Sequence, residues 1–171
     1  MSKKHRYPIA LAVAAFLFLP KLAPAINLTV NRVYDGDTIK AVGYDIEIKV
    51  RLIGIDAPET PKGKDSHGQP FGEEAKQFLA ALVLNKEVEI KGYGFGPYNR
   101  IIGEVFIGAK NVNLEMIKAG MAEVYKGKPP RGFNLAGYYI YESEARMAGR
   151  GMWSLQDSYI SPAQWRAKWR K

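Results

Sequence analysis

The sequence predicts an α+β fold: one small closed β-barrel of five strands carrying about three helices. Three observations predict it. Short segments with period-2 alternation of apolar and polar residues recur five times, a 3.6-period apolar stripe is inserted after the third, and further helical pattern follows the fifth. The chain of 171 residues, 47% hydrophobic, suffices for one domain with a substantial core and is short for two.

The first alternating segment runs from Ile26, with Ile26, Leu28 and Val30 on one face and Asn27, Thr29 and Asn31 on the other. Asp35-Gly36 reads as a tight turn, since both residues tolerate the positive φ of hairpin turns. Thr38 to Val42 is the returning strand, Gly43-Tyr44-Asp45 a second turn, and Ile46, Ile48, Val50 and Leu52 one face of a third strand. Together these make a three-stranded meander. Pro61 to Pro70 lacks periodicity and is read as a mobile surface loop. From Glu73 to Leu84, Ala75, Phe78, Leu79 and Leu82 fall at helical spacing behind two acids that suit a helix N-terminus. Lys86 to Lys91 is a fourth strand, followed by a glycine-rich turn and a fifth strand from Ile101 to Ile107. Val112 to Ala119, closed by Gly120, and Tyr139 to Ala148, closed by Gly149, are further helices. A five-stranded barrel with a helix after the third strand is the pattern of an OB-type barrel.

The termini divide from this domain. Lys3, Lys4 and Arg6 precede an apolar run from Ile9 to Leu19 and then Ala23-Pro24-Ala25, the layout of a secretory signal peptide cleaved after Ala25. A membrane anchor is the competing reading, but the run is short of the roughly 17 to 25 apolar residues that span a bilayer. The organisation read is signal peptide 1–25, barrel domain 26–154 and a basic tail 155–171. The chain is expected to be secreted or periplasmic. Cleavage would remove four basic groups, leaving 21 against 17 acids and reducing the formal charge from +8 to +4. Basicity is then a weak pointer to an anionic partner.

There is no cysteine, which excludes disulfide staples, thiolate metal sites and a cysteine nucleophile. After cleavage His67 is the sole histidine, which argues against a histidine cluster or a Ser-His-Asp arrangement. Chemistry therefore falls to carboxylates and arginines. These concentrate in D-G-D-T (Asp35 to Thr38) and R-L-I-G-I-D-A-P-E-T (Arg51 to Thr60). Asp37 and Asp56 stand at the ends of neighbouring strands, where their oxygens suit a shared hard cation such as calcium or magnesium. Glu59 follows a proline that stiffens the strand exit. Arg51 offers the planar fork that matches a phosphate.

With F-G-E-E-A, the Tyr98-Asn99-Arg100 triplet and the closing G-M-W-S, these motifs occur in order over Asn27 to Ser154. In this the sequence resembles the staphylococcal nuclease (thermonuclease) family. The resemblance implies an OB-fold, calcium-dependent nuclease that cleaves DNA and RNA and leaves 3′-phosphates, acting as a monomer with no stable membrane association after signal cleavage. Asp37 and Asp56 match its calcium carboxylates, Ala57 a carbonyl donor to the ion, and Glu59 the proposed general base. Arg51 and Arg100 match its phosphate-binding arginines, Tyr98 and Tyr125 its nucleotide-pocket tyrosines, and Asp35 a supporting acid. The sequence departs at Asn99, where relatives have glycine; asparagine tolerates a positive φ best among the alternatives. A non-catalytic OB-fold nucleic-acid-binding module is the alternative reading. In the tail, Ser161-Pro162 is an N-cap and N1 pair opening a short helix, with Trp165 and Trp169 expected to pack on the barrel.

Overall fold

A computed structural model of the chain describes residues 27–61, 63 and 68–169; the expected signal peptide, His67 and the last two residues lie outside them. In chain order the strands are β1 (Asn27–Asp35), β2 (Thr38–Gly43), β3 (Ile46–Leu52), β4 (Ile55–Asp56), β5 (Glu87–Gly96), β6 (Arg100–Ile107), β7 (Lys110–Asn111) and β8 (Glu123–Val124). The α-helices are α1 (Gly72–Val83), α2 (Val112–Lys118), α3 (Ala136–Met147) and α4 (Pro162–Trp169), with 3₁₀ turns at Pro97–Asn99 and Gly151–Ser158.

β1, β2 and β3 form the expected antiparallel meander. The β2–β3 hairpin turns on Tyr44 and Asp45, both with positive φ, as a two-residue loop between right-twisted strands requires. β1 also pairs with β5 and β5 with β6, both antiparallel. A parallel pairing of β3 with β6, Val50 opposite Ile101 and Leu52 opposite Gly103, closes the five strands into a barrel. Its interior holds Val30, Ile39, Ala41, Val50, Val88 and Val105. α1 closes it with Ala75, Leu79 and Val83, and α2 adds Met116 and Ile117. Asn113 is wholly buried on α2: its amide donates to the carbonyls of Ile53 (2.8 Å) and Gly103 (3.2 Å) and accepts from Val105 N–H (3.0 Å), tying the end of β3 to β6.

Three expectations are corrected. The glycine-rich stretch after Lys91 is strand: β5 runs to Gly96, and an irregularity between Gly92 and Phe95 takes up the mismatch with β6. Glycines here permit the bend of a bulge, a role that resembles a turn when read from composition. Gly36 does not have positive φ. Glycine is needed there for space, since a Cβ would sit 2.6 Å from the Ala57 Cβ and 2.8 Å from that of Ala75. Of the Pro61–Pro70 stretch, residues 62 and 64–67 lie outside the described residues, and at its end Gln69 is buried where a surface loop was expected. A satellite core of Ala145, Met152 and Trp153, with Phe71 and Tyr159 packed on it, seats the chain that leads into α4.

Candidate active site

Local sequence explains the first acid. Asp35 accepts from the N–H of Asp37 (3.0 Å), an Asx turn that carries the chain from β1 into β2. Asp37, at the start of the returning strand, then points inward, its Oδ1 accepting from Thr38 Oγ1 and its Oδ2 from the Ala57 N–H, each at 3.0 Å. Thr38 pairs with Arg51 in the β2–β3 register, which sets the arginine beside this acid. Arg51 Nη1 lies 2.6 Å from Asp37 Oδ2, and its Nη2 donates to Asp56 Oδ1 at 3.0 Å. One guanidinium therefore bridges two buried carboxylates, Asp37 of D-G-D-T and Asp56 of R-L-I-G-I-D-A-P-E-T. Burial pushes the Asp37 carboxyl up to about 7, against the opposing pull of Arg51.

Asp56 is held by the short β4–β8 pair, opposite Glu123. Pro58 then turns the chain so that Glu59 faces the same cleft. The Glu59 backbone is clamped by Gln69, whose side chain accepts from Glu59 N–H (3.1 Å), whose N–H donates to the Glu59 carbonyl (2.8 Å) and whose amide reaches the Ile160 carbonyl (2.7 Å). Gly72 lets α1 start against this turn, since a Cβ there would lie 2.4 Å from the Glu59 carbonyl oxygen.

These groups open on a cleft of about 790 Å³. Asp35, Asp37, Arg51, Ala57 and Glu59 form its floor, while Tyr98, Arg100 and Tyr125 stand on its walls; Asp56 lies behind them. Arg100 is held by its own loop, with Nε donating to the Pro97 carbonyl (3.1 Å) and its guanidinium 5.6 Å from the Tyr98 ring centre. It pairs with no carboxylate among the described residues, which leaves its charge directed at the cleft. Tyr98 and Asn99 both take positive φ, 62° and 53°, so the departure at Asn99 falls where asparagine is tolerated. Tyr98 is 87% exposed and Tyr125 42%, and both line the cleft. Every residue singled out from the sequence is thus gathered at one site.

One further group was not expected there. Arg166 of α4 reaches in from the tail: Nη1 donates to Asp56 Oδ1 (3.0 Å) and Glu59 Oε1 (2.8 Å), and Nη2 to Asp56 Oδ2 (2.7 Å). These hydrogen bonds, chiefly those to Asp56, hold the guanidinium above its usual range. Trp165 and Trp169 line the cleft beside it, with ring centres 5.7 Å apart, so the tryptophans border the site rather than simply covering the barrel. The sequence signal was an arginine between two tryptophans, a pattern shared by any basic amphipathic helix.

The donor set fits a hard divalent cation. It is all oxygen, and the acids Asp35, Asp37, Asp56 and Glu59 outnumber the two arginines bound among them, Arg51 and Arg166, by two formal charges. Among the described residues no three acidic or histidine side chains converge on one point. A cation here would therefore complete its shell with backbone carbonyl and water oxygens, as calcium does.

A closed five-stranded barrel with paired acids, a carboxylate turn and two cleft-facing arginines defines a hydrolase of the nuclease class. Residues 49–155 match the family model described as "Staphylococcal nuclease homologue". The chain is 36% identical over 169 residues to a micrococcal nuclease of Shigella flexneri, covering 91% of this chain and 90% of the relative. It is 36% identical over 139 residues to an uncharacterized endonuclease of Haemophilus influenzae, covering 80% and 71%. It is 37% identical over 126 residues to a probable endonuclease of Komagataella phaffii, covering 70% of this chain and only 54% of that longer protein. The chain belongs to the staphylococcal nuclease family.

Proposed function

We propose that this chain is an exported, calcium-dependent nuclease that hydrolyses phosphodiester bonds of DNA and RNA and leaves 3′-phosphates. The observation that carries the reading is Arg51, bridging Asp37 and Asp56 in the cleft that Arg100 and Glu59 also face. Hydrolysis places added negative charge on oxygens around a five-coordinate phosphorus, so the site needs positive charge fixed where that charge develops. Arg51 and Arg100 meet this need with forked donors on the non-bridging oxygens. Asp37 and Asp56, with the Ala57 carbonyl, would hold the calcium ion. When bound, that ion supplies Lewis-acid polarisation of a phosphoryl oxygen and orients water. Glu59 takes a proton from the attacking water, whose oxygen bonds to phosphorus as the P–O5′ bond breaks and O5′ leaves as a hydroxyl with a proton from solvent water. Such base assistance is worth about 10² to 10⁴ in rate. Tyr98 and Tyr125 stack on bases flanking the scissile phosphate, at about 1 to 3 kcal/mol per base.

Export and a secreted or periplasmic location rest on the basic and apolar N-terminal run ending at Ala25. Action as a monomer, without stable membrane association, belongs to the same reading. The test is incubation of plasmid DNA and of RNA with the protein in calcium or in chelator, followed by analysis of product ends. Cleavage is expected only with calcium, and Arg51→Lys or Glu59→Ser should remove most of it. Undiminished cleavage in chelator would overturn the mechanism, and tight oligonucleotide binding without turnover would favour the non-catalytic module.

A further inference from the structure

We infer that α4 is a displaceable latch in which Arg166 competes with the divalent ion for Asp56 as an internal cation and at the same time holds the Glu59 carboxylate. The inference rests on the calcium reading above. Both oxygens of Asp56 accept hydrogen bonds from Arg166, and Oδ1 accepts a further one from Arg51, so its near lone pairs are committed. The same guanidinium holds Glu59 Oε1, the carboxylate that must otherwise accept a proton. An arginine fork satisfies a carboxylate edge much as a cation does, and the two cannot share it.

The construction of α4 suits release. Its start is fixed: Ser161 and Pro162 are buried. Ser161 Oγ accepts from the Gln164 N–H (3.2 Å) while Gln164 Oε1 accepts from the Ser161 N–H (3.1 Å), a reciprocal capping box. The preceding Ile160 carbonyl is tied to Gln69. Beyond the cap exposure rises, from half-buried Trp165 and Arg166 to exposed Ala167, Lys168 and Trp169. The Arg166 side chain is 33% exposed and Trp169 57%, so the guanidinium can withdraw along its flexible stem without disturbing the buried anchor. α4 lies outside residues 49–155 that match the family model. Trp165, Arg166 and Trp169 all line the cleft that the acids Asp35, Asp37 and Glu59 also line.

The test is calorimetric titration of calcium chloride into the wild type, Arg166→Ala and Arg166→Gln, in the absence of nucleic acid. Removing a partly exposed forked ion pair should tighten calcium binding about tenfold in both variants. In the wild type, calcium should also speed tryptic cleavage after Arg166 or Lys168, because the latch is released. Equal dissociation constants in the three proteins, or unchanged tryptic cleavage, would overturn the latch and leave the calcium reading intact. Weaker binding in the variants would overturn it by making Arg166 a support for the acids. No calcium binding by any of the three would overturn the calcium reading and the latch with it. If neither variant folds, Arg166→Lys, which keeps the charge and loses the fork, should bind calcium with intermediate affinity, and an unchanged constant would refute the latch.

Discussion

Replacing Asp37 with asparagine should flatten the pH dependence of stability in the metal-free protein. Burial raises the Asp37 carboxyl from 3.8 to about 7 in the folded state, so the fold binds this proton more tightly than the unfolded chain does. The stability associated with the group is fully present below the unfolded value and is lost as pH rises through the folded one. At 1.36 kcal/mol per pH unit the complete loss is about 4 kcal/mol, of which roughly 2–3 kcal/mol falls between pH 5 and pH 8. The asparagine side chain would not titrate, yet its amide oxygen can still accept from the Ala57 N–H, as Asp37 Oδ2 now does at 3.0 Å.

The assay is urea unfolding of wild type and Asp37→Asn at pH 5 and pH 8 in chelator, comparing the difference between the two proteins at each pH. That difference should move by roughly 2–3 kcal/mol in favour of the variant at pH 8. Subtraction removes the titration of other groups, so the result isolates this one carboxyl. If the two proteins show parallel pH dependence, burial does not govern Asp37 and Arg51 holds it ionised throughout.

Other substitutions probe the scaffold. Asn113→Ala leaves a buried N–H and two buried carbonyls without their partner and should cost about 3 kcal/mol by chemical denaturation; a change below about 1 kcal/mol would contradict the tie it makes between β3 and β6. Gln156, with φ 47° and ψ −120°, occupies a region suited to glycine, so Gln156→Gly should raise Tm by about 2–4 °C in calorimetry. Gly72→Ala would push on the Glu59 carbonyl from 2.4 Å and displace that carboxylate, so kcat should fall about tenfold or more while calcium affinity holds. An unchanged kcat would show that the Glu59 turn has room to give.

Much of the site was legible because it is local. Asp35, Asp37, Arg51, Asp56, Ala57 and Glu59 lie on one meander and its exit, so turn chemistry and period-2 register place them together without any long-range information. What escaped depends on space or on distance. Gly36 was assigned its turn for the wrong reason, since crowding by Ala57 and Ala75 is set by how α1 packs and leaves no trace in the dipeptide. The strand character of Lys91 to Gly96 was masked by glycines that elsewhere signal turns. Gln69 sat in a stretch whose composition reads as solvated loop, although its side chain links Glu59 to Ile160. Arg166 lies 107 residues beyond Glu59, and nothing in a short basic helix announces which carboxylate it will reach.

Arg100 shows how topology supplies what local pattern cannot. It opens β6, far in sequence from the acids, yet it shares their cleft because β6 runs parallel to β3 and pairs Val50 with Ile101 and Arg51 with Ile102. In a parallel pair, neighbours in register share an end of the barrel, so the start of β6 is delivered to the end where Arg51 projects. Two guanidinium groups brought to one end repel each other unless acids separate their duties. Arg51 is compensated by Asp37 and Asp56, and Arg100 rests on a carbonyl and an aromatic face. The closure of the barrel therefore assembles the positive charge of the cleft, and the acids beside Arg51 compensate its share of that charge.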